Sequence, residues 1–118
     1  MEHRELAGHL RALSDVNRLH IVRLLASTAE LGVGDLIVSL RAQRPTLSQP
    51  LISWHLRVLR KRGLITWRRE GRQVFYALNR RQWRQLVDSF DVLLAPQRVE
   101  AVAPTIGGRA PAPPVGGV

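Results

Sequence analysis

The chain of 118 residues contains no cysteine. That excludes a disulfide framework, a thiolate metal site and a cysteine nucleophile, and it fits a reducing cytoplasm. No apolar run reaches the ~18–20 residues that a membrane-spanning helix needs. The opening Met1-Glu2-His3-Arg4-Glu5 has no resemblance to a secretory leader. The expectation is one soluble, cytoplasmic domain with no membrane partner. A chain of this length buries roughly 60–68% of its unfolded surface, so it needs neither disulfide nor structural metal to fold. A Gly-rich phosphate loop is also missing, as is any Ser/His/acid set at usable spacing, and the four histidines are scattered. The expectation is therefore not an enzyme.

The most uneven shortage is of carboxylates. Residues 1–40 carry four arginines against five acidic residues, whereas residues 41–84 carry twelve arginine and lysine residues against Glu70 alone. A net charge of +9 concentrated in this way is the footprint of a polyanion partner, with a merely solvated basic face as the rival reading.

What is present is mostly helical spacing. Leu6, Leu10 and Leu13 mark an amphipathic helix over about residues 2–13. Ser14-Asp15 breaks it and offers an N-cap for a second helix over about 16–28, with Leu19, Val22, Leu24, Leu25 and Ala26 as its buried face. Leu31-Gly32-Val33-Gly34 reads as a break, and a third helix runs from about Asp35 to Gln43. Arg44-Pro45-Thr46 is a turn, because the residue before a proline avoids helical angles. A fourth helix starts at Ser48 or Gln49 with Pro50 in its first turn, buries Ile52, Leu56 and Leu59, and ends at a left-handed Gly63. The period then changes to two. Leu64–Arg69 and Gln73–Leu78 read as strands joined by Glu70-Gly71, and Asn79 caps a last helix carrying Trp83, Leu86, Val87, Phe90, Leu93 and Leu94. The order is α-α-α-α-β-β-α, mainly α with a β-hairpin wing: a winged helix-turn-helix over residues 1–95. Residues 96–118 hold five prolines and no aromatic residue, the composition of a disordered tail.

Three segments, "LSDVNRLHIVRLL" (13–25), "LSQPLISWHLRVLRKRGLI" (47–65) and "RREGRQVFYALN" (68–79), together resemble the ArsR/SmtB family of bacterial transcriptional regulators. The likeness covers about residues 5–95. It implies a homodimer paired through its first and last helices, with two recognition helices in successive major grooves of a near-palindromic operator. The interface expected is Leu6 and Leu10 with Trp83, Val87, Phe90 and Leu94, whose apolar bulk a small domain would struggle to cover alone.

For binding duplex DNA the candidates are Thr46, Ser48 and Gln49 at the helix start, where side chains and free N–H groups can face base edges. Ser53 and Trp54 continue that exposed face, with partial burial of Trp54 against a neighbouring helix as the alternative. Arg57, Arg60, Lys61 and Arg62 are expected on phosphates, and Arg69 and Arg72 at the hairpin tip on phosphate or in the minor groove. His55 matches a histidine of the family's motif and reads as structural or phosphate-contacting.

A sensor site is harder to find. The family's third-helix cysteine pair falls at "ELGVGDL" (30–36), where Gly32 and Gly34 stand, and in the last helix Asp88 and Asp91 have no histidine beside them. Two carboxylates without imidazole are weak ligands for a transition metal. The remaining candidate for nickel(II) or another divalent ion is the N-terminus. There Met1-Glu2-His3 offers an amine, amides and an imidazole at square-planar spacing, with His9 farther along. The open alternatives are a regulator governed by a partner protein, with no small-molecule site, and an RNA-binding or architectural winged helix. Between Asp35 and Leu47 the chain also carries about five residues more than the family usually has, which unsettles any transfer of base contacts by position.

Overall fold

A computed structural model describes residues 1–97. The elements are α1 (His3–Leu13), α2 (Val16–Ala26), β1 (Leu31–Gly32), α3 (Val33–Gln43), α4 (Gln49–Lys61), β2 (Ile65–Glu70), β3 (Gln73–Leu78) and α5 (Arg80–Leu94). The expected tail lies, from residue 98 onward, outside the described residues.

The element order matches the expected winged helix-turn-helix with one addition. The Leu31-Gly32 break is a short strand that pairs antiparallel with β3, Leu31 opposite Tyr76 and Gly32 opposite Phe75, so the sheet has three strands in the order β1-β3-β2. Two residues are too few to show a period, which is why the sequence reads there only as an interruption.

Local chemistry sets the boundaries. Asp15 caps α2 by accepting the Arg18 N–H at 3.1 Å, Ser48 caps α4 by accepting the Leu51 N–H at 3.2 Å, and Asn79 caps α5 by accepting the Gln82 N–H at 3.3 Å. At the far end of α4, Gly63 adopts φ +70. The Leu64 N–H then reaches the Leu59 carbonyl and the Gly63 N–H reaches the Arg60 carbonyl, at 3.1 and 2.9 Å, a Schellman closure. Leu59 and Leu64 meet in the core across it.

Two expectations need correcting. The hairpin loop is Gly71-Arg72, not Glu70-Gly71, because Glu70 still pairs with Gln73. Gly71 takes φ +62 and Arg72 does not go positive, the pattern of a II′ turn with glycine first. On α2 the buried face is Arg18, Ile21 and Leu25, at i, i+3 and i+7, while Leu19 is 51% exposed and Ala26 faces solvent. Leu25 is buried as expected and Val22 and Leu24 pack half-buried against the core, but the face is centred differently because an arginine occupies one of its positions.

The core gathers Ile21, Leu25, Leu36, Ile52, Leu59, Leu64, Ile65 and Leu86, all essentially inaccessible. Ile52, Leu56 and Leu59 are buried as their spacing requires. At ~25 cal/mol per Å² of apolar surface, each such side chain contributes on the order of 2 kcal/mol. That anchoring fixes the rotation of α4, and therefore which residues it turns outward.

Candidate nucleic-acid interface

With Ile52, His55, Leu56 and Leu59 turned inward, the opposite side of α4 is left to solvent. Thr46, Ser48, Gln49, Ser53, Trp54, Arg57, Arg60 and Lys61 are all exposed, as are Arg69 and Arg72 on the hairpin. Ser53, Arg57, Arg60 and Tyr76 line a concave strip between α4 and the sheet. Across it the Arg60 guanidinium lies 5.2 Å from the centre of the Trp67 ring, half-exposed on β2. This cation–π contact joins wing to helix. Because side chains alternate along a strand, Arg69 shares the Trp67 face, toward α4, and Arg68 lies on the other.

Arg68 is differently employed. It donates to Glu30 at 2.9 Å and to Glu70 at 2.7 Å, and sits 4.5 Å from the centre of the Phe75 ring. Donating to Glu30, then to Glu70, pushes its pKa upward, and the Arg68 hydrogen bonds hold the Glu30 carboxyl below its ordinary range. Glu70, the lone carboxylate of residues 41–84, is thus engaged within the protein, and among the described residues the exposed Arg69 and Arg72 beside it form no salt bridge.

Two basic residues make contacts within the chain, Arg18 buried and Arg62 still exposed. Arg62, expected on phosphate, lays its guanidinium across the Cα of Gly8 in α1, close enough that any β-carbon there would collide with it. Arg18 is 8% exposed, donating from Nε to the Ala12 carbonyl at 2.6 Å and from Nη1 to His55 Nδ1 at 3.0 Å. His55 is therefore structural. Burial, more than the neighbouring Arg18, keeps its pKa below the ordinary value, and the Asp15 carboxylate 3.8 Å away works in the opposite direction. With Nδ1 accepting from Arg18, the hydrogen belongs on Nε2. Asn17 lies 3.5 Å from that nitrogen, and its Oδ1 is otherwise buried without a partner, so the amide oxygen is the atom that fits against Nε2–H. The Asp15, Asn17, Arg18 and His55 group, which sequence reasoning missed, locks α2 to the recognition helix. Its signal was present: Arg18 stands three and seven residues before Ile21 and Leu25.

The metal candidates do not converge. His3 is exposed, whereas His9 is 5% exposed with its Nε2 accepting from Gln82 Nε2 at 2.7 Å. Burial first, then Arg62, lowers the His9 pKa. Its engaged lone pair argues against a role as ligand. Among the described residues no three His, Cys, Asp or Glu side chains are close enough to hold an ion. The donor set does not fit an internal transition-metal site.

Of the expected dimer residues, Leu6 is 5% exposed and belongs to the chain's own core, and Trp83 and Phe90 are half-buried against it. The Trp83 Nε1–H also donates to the Leu64 carbonyl at 2.9 Å. Leu10, Val87 and Leu94 are exposed, at 41, 56 and 78%, joined by Val92 and Leu93.

A basic, outward-facing helix with a capped start, packed on a three-helix core and flanked by a charged hairpin, defines a winged helix-turn-helix DNA-binding regulator. The sequence model for "Bacterial regulatory protein, arsR family" matches residues 15–66. The biofilm growth-associated repressor of Xylella fastidiosa is 36% identical over 97 residues, covering 82% of this chain and 80% of that one. The arsenic resistance transcriptional regulator ArsR2 of Pseudomonas putida is 42% identical over 69 residues, 58% of this chain; the match spans only 56% of that protein's length. In structure, the transcriptional repressor BigR from Xylella fastidiosa superimposes with a TM-score of 0.57 at 34% identity, covering 80% of this chain and 90% of that one. The chain belongs to the ArsR family of bacterial transcriptional regulators. The family and these relatives are regulators of transcription, not enzymes.

Proposed function

We propose that the protein binds a near-palindromic operator in duplex DNA as a homodimer, sequence-specifically, and thereby controls transcription from a cytoplasmic location. One observation carries the reading: ten exposed polar, aromatic and basic residues share the α4 and hairpin side, and the lone nearby carboxylate is engaged by Arg68. Gln49 and Ser53 suit base edges, Gln pairing bidentately with adenine. Arg57, Arg60, Lys61, Arg69 and Arg72 suit phosphates. The exposed Leu10, Val87 and Leu94 support pairing through α1 and α5, since an apolar strip of this kind on two neighbouring helices usually meets a second copy.

The test is a footprint upstream of the protein's own gene. A protected palindrome is expected, with Gln49→Ala relaxing preference at one position per half-site by ~1–3 kcal/mol. Sequence preference unchanged in that variant would refute the base-reading role. Light scattering at micromolar concentration should give twice the chain mass, and Leu94→Glu with Val87→Glu should halve it.

An ion response, as the name of the arsenic-resistance relative suggests, finds no fitting internal donors among the described residues. A nickel or other divalent-ion response here rests on Met1-Glu2-His3 alone. Calorimetry with and without residues 1–3 tests it, binding weaker than ~10 μM arguing against a sensor. A regulator governed instead by a protein co-regulator is favoured to that extent. An RNA-binding or architectural role predicts that structured RNA or random DNA competes as well as the operator.

A further inference from the structure

Between α1 and α4, away from the strip that joins helix to wing, lies a cleft with an unusual lining. Its apolar part is Ala12, Val58 and the Trp54 indole, and four cations surround it: Arg11, Arg18, Lys61 and Arg62. No carboxylate lines it among the described residues. Arg62 is brought there because Gly8 has no side chain and lets the guanidinium lie against α1.

Arg18 is the informative member. A buried charge ordinarily has an ionic partner, since an isolated one is costly to remove from water. The Arg18 guanidinium has a backbone carbonyl and a neutral imidazole instead, and no bond is made by its Nη2. The nearest acid, Asp15, forms no salt bridge with the Arg18 guanidinium among the described residues and acts on it only at a distance. The Arg18 guanidinium carbon stands 5.4 Å from the centre of the Trp54 ring, so a cation and a half-exposed aromatic surface face the same space.

We propose that this cleft is a seat for a small anion carried on a flat apolar body, the chemistry of an aryl carboxylate or aryl phosphate. The anionic group meets Arg18 and the Arg11, Lys61 and Arg62 rim, and the ring lies on Trp54 and Val58. A bare phosphate, whether free or in a nucleic-acid backbone, uses the cations and leaves the apolar floor wet. The seat shares Trp54 and Lys61 with the proposed DNA face, and because it is measured on the protein without DNA its failure is distinguishable from failure of that reading.

The experiment follows the three indole N–H resonances of the full-length protein by ¹⁵N-correlated NMR, the Trp54 signal being assigned by its loss in Trp54→Phe. Phenyl phosphate should shift the Trp54 resonance saturably, with a Kd below about 1 mM, and leave Trp67 and Trp83 in place. Benzyl alcohol, lacking the charge, should leave all three unmoved. Inorganic phosphate should bind at least about tenfold more weakly, lacking the apolar body. The double variant Arg11→Gln/Lys61→Gln alters only exposed side chains and should weaken phenyl phosphate about tenfold by removing two rim charges. Absence of saturation, equal binding of inorganic phosphate, or unchanged affinity in the double variant would each overturn the proposal.

Discussion

Arg72→Ala and Arg68→Ala remove the same charge from the same hairpin, four residues apart, yet the structure separates their consequences. Arg72 stands exposed in the II′ turn, while Arg68 is held between Glu30 and Glu70 and rests on Phe75. A phosphate contact releases condensed counter-ions, and each one lost lowers the slope of log K against log salt by ~0.9. A homodimer loses two contacts per substitution, so Arg72→Ala should flatten the slope by about 1.8. At 0.1 M salt that is about 60-fold in affinity, shrinking to about fourfold at 0.5 M. Arg68→Ala should leave the slope within about 0.5 of the parent, because no counter-ion is released through a guanidinium already paired inside the protein. Fluorescence anisotropy on a labelled operator, titrated at four salt concentrations, measures both. An affinity loss for Arg72→Ala that is the same at every salt concentration would refute the phosphate contact. A larger slope change for Arg68→Ala than for Arg72→Ala would refute the whole division of labour on the hairpin. A change of about 0.9 for Arg72→Ala would mean one contact per complex, against the dimer.

Burial holds both His55 and His9 below the ordinary 6.5, so the unfolded chain takes up these protons first as pH falls. Stability from the two neutral imidazoles is then fully present above that pH and is lost as pH drops from 6.5 toward the folded-state values; the urea midpoint should fall between pH 7.5 and 5.5, and less steeply in His55→Gln. A flat midpoint would contradict the buried network. Gly63→Ala meets no atom within 4 Å, so its cost is that of the left-handed backbone alone, about 1 kcal/mol or about 4–8 °C in Tm; differential scanning calorimetry that showed no loss would refute that strain. Leu59→Ala, at a fully inaccessible site, should cost ~2–5 kcal/mol by chemical denaturation, and a value under ~1 would mean the recognition helix is not anchored as described.

The α4 stripe, the three caps and the Gly63 stop were legible because each follows from local rules that tertiary packing did not override. The β1 strand was not, because two residues carry no periodicity and its pairing with Tyr76 and Phe75 is a long-range fact. Outward placement of Gln49, Ser53 and Arg57 was readable as the complement of Ile52, Leu56 and Leu59. The fates of Arg18, Arg62 and Arg68 were not. An arginine reads as a free cation until its neighbours are known, and those neighbours, His55, Gly8 and Glu30, lie more than thirty residues away in sequence. For the same reason Leu6 read as interface, although the chain's own core claims it.

The carbonyl of Leu64 accepts twice, from the Asn79 N–H at 3.0 Å and from the Trp83 indole. One oxygen thus pins together the foot of the reading helix, the root of the hairpin and the head of α5. A displacement of α5 along its axis drags that joint with it. In the proposed dimer, whatever repositions the two copies along α5 would therefore be expected to change the pitch of their hairpins.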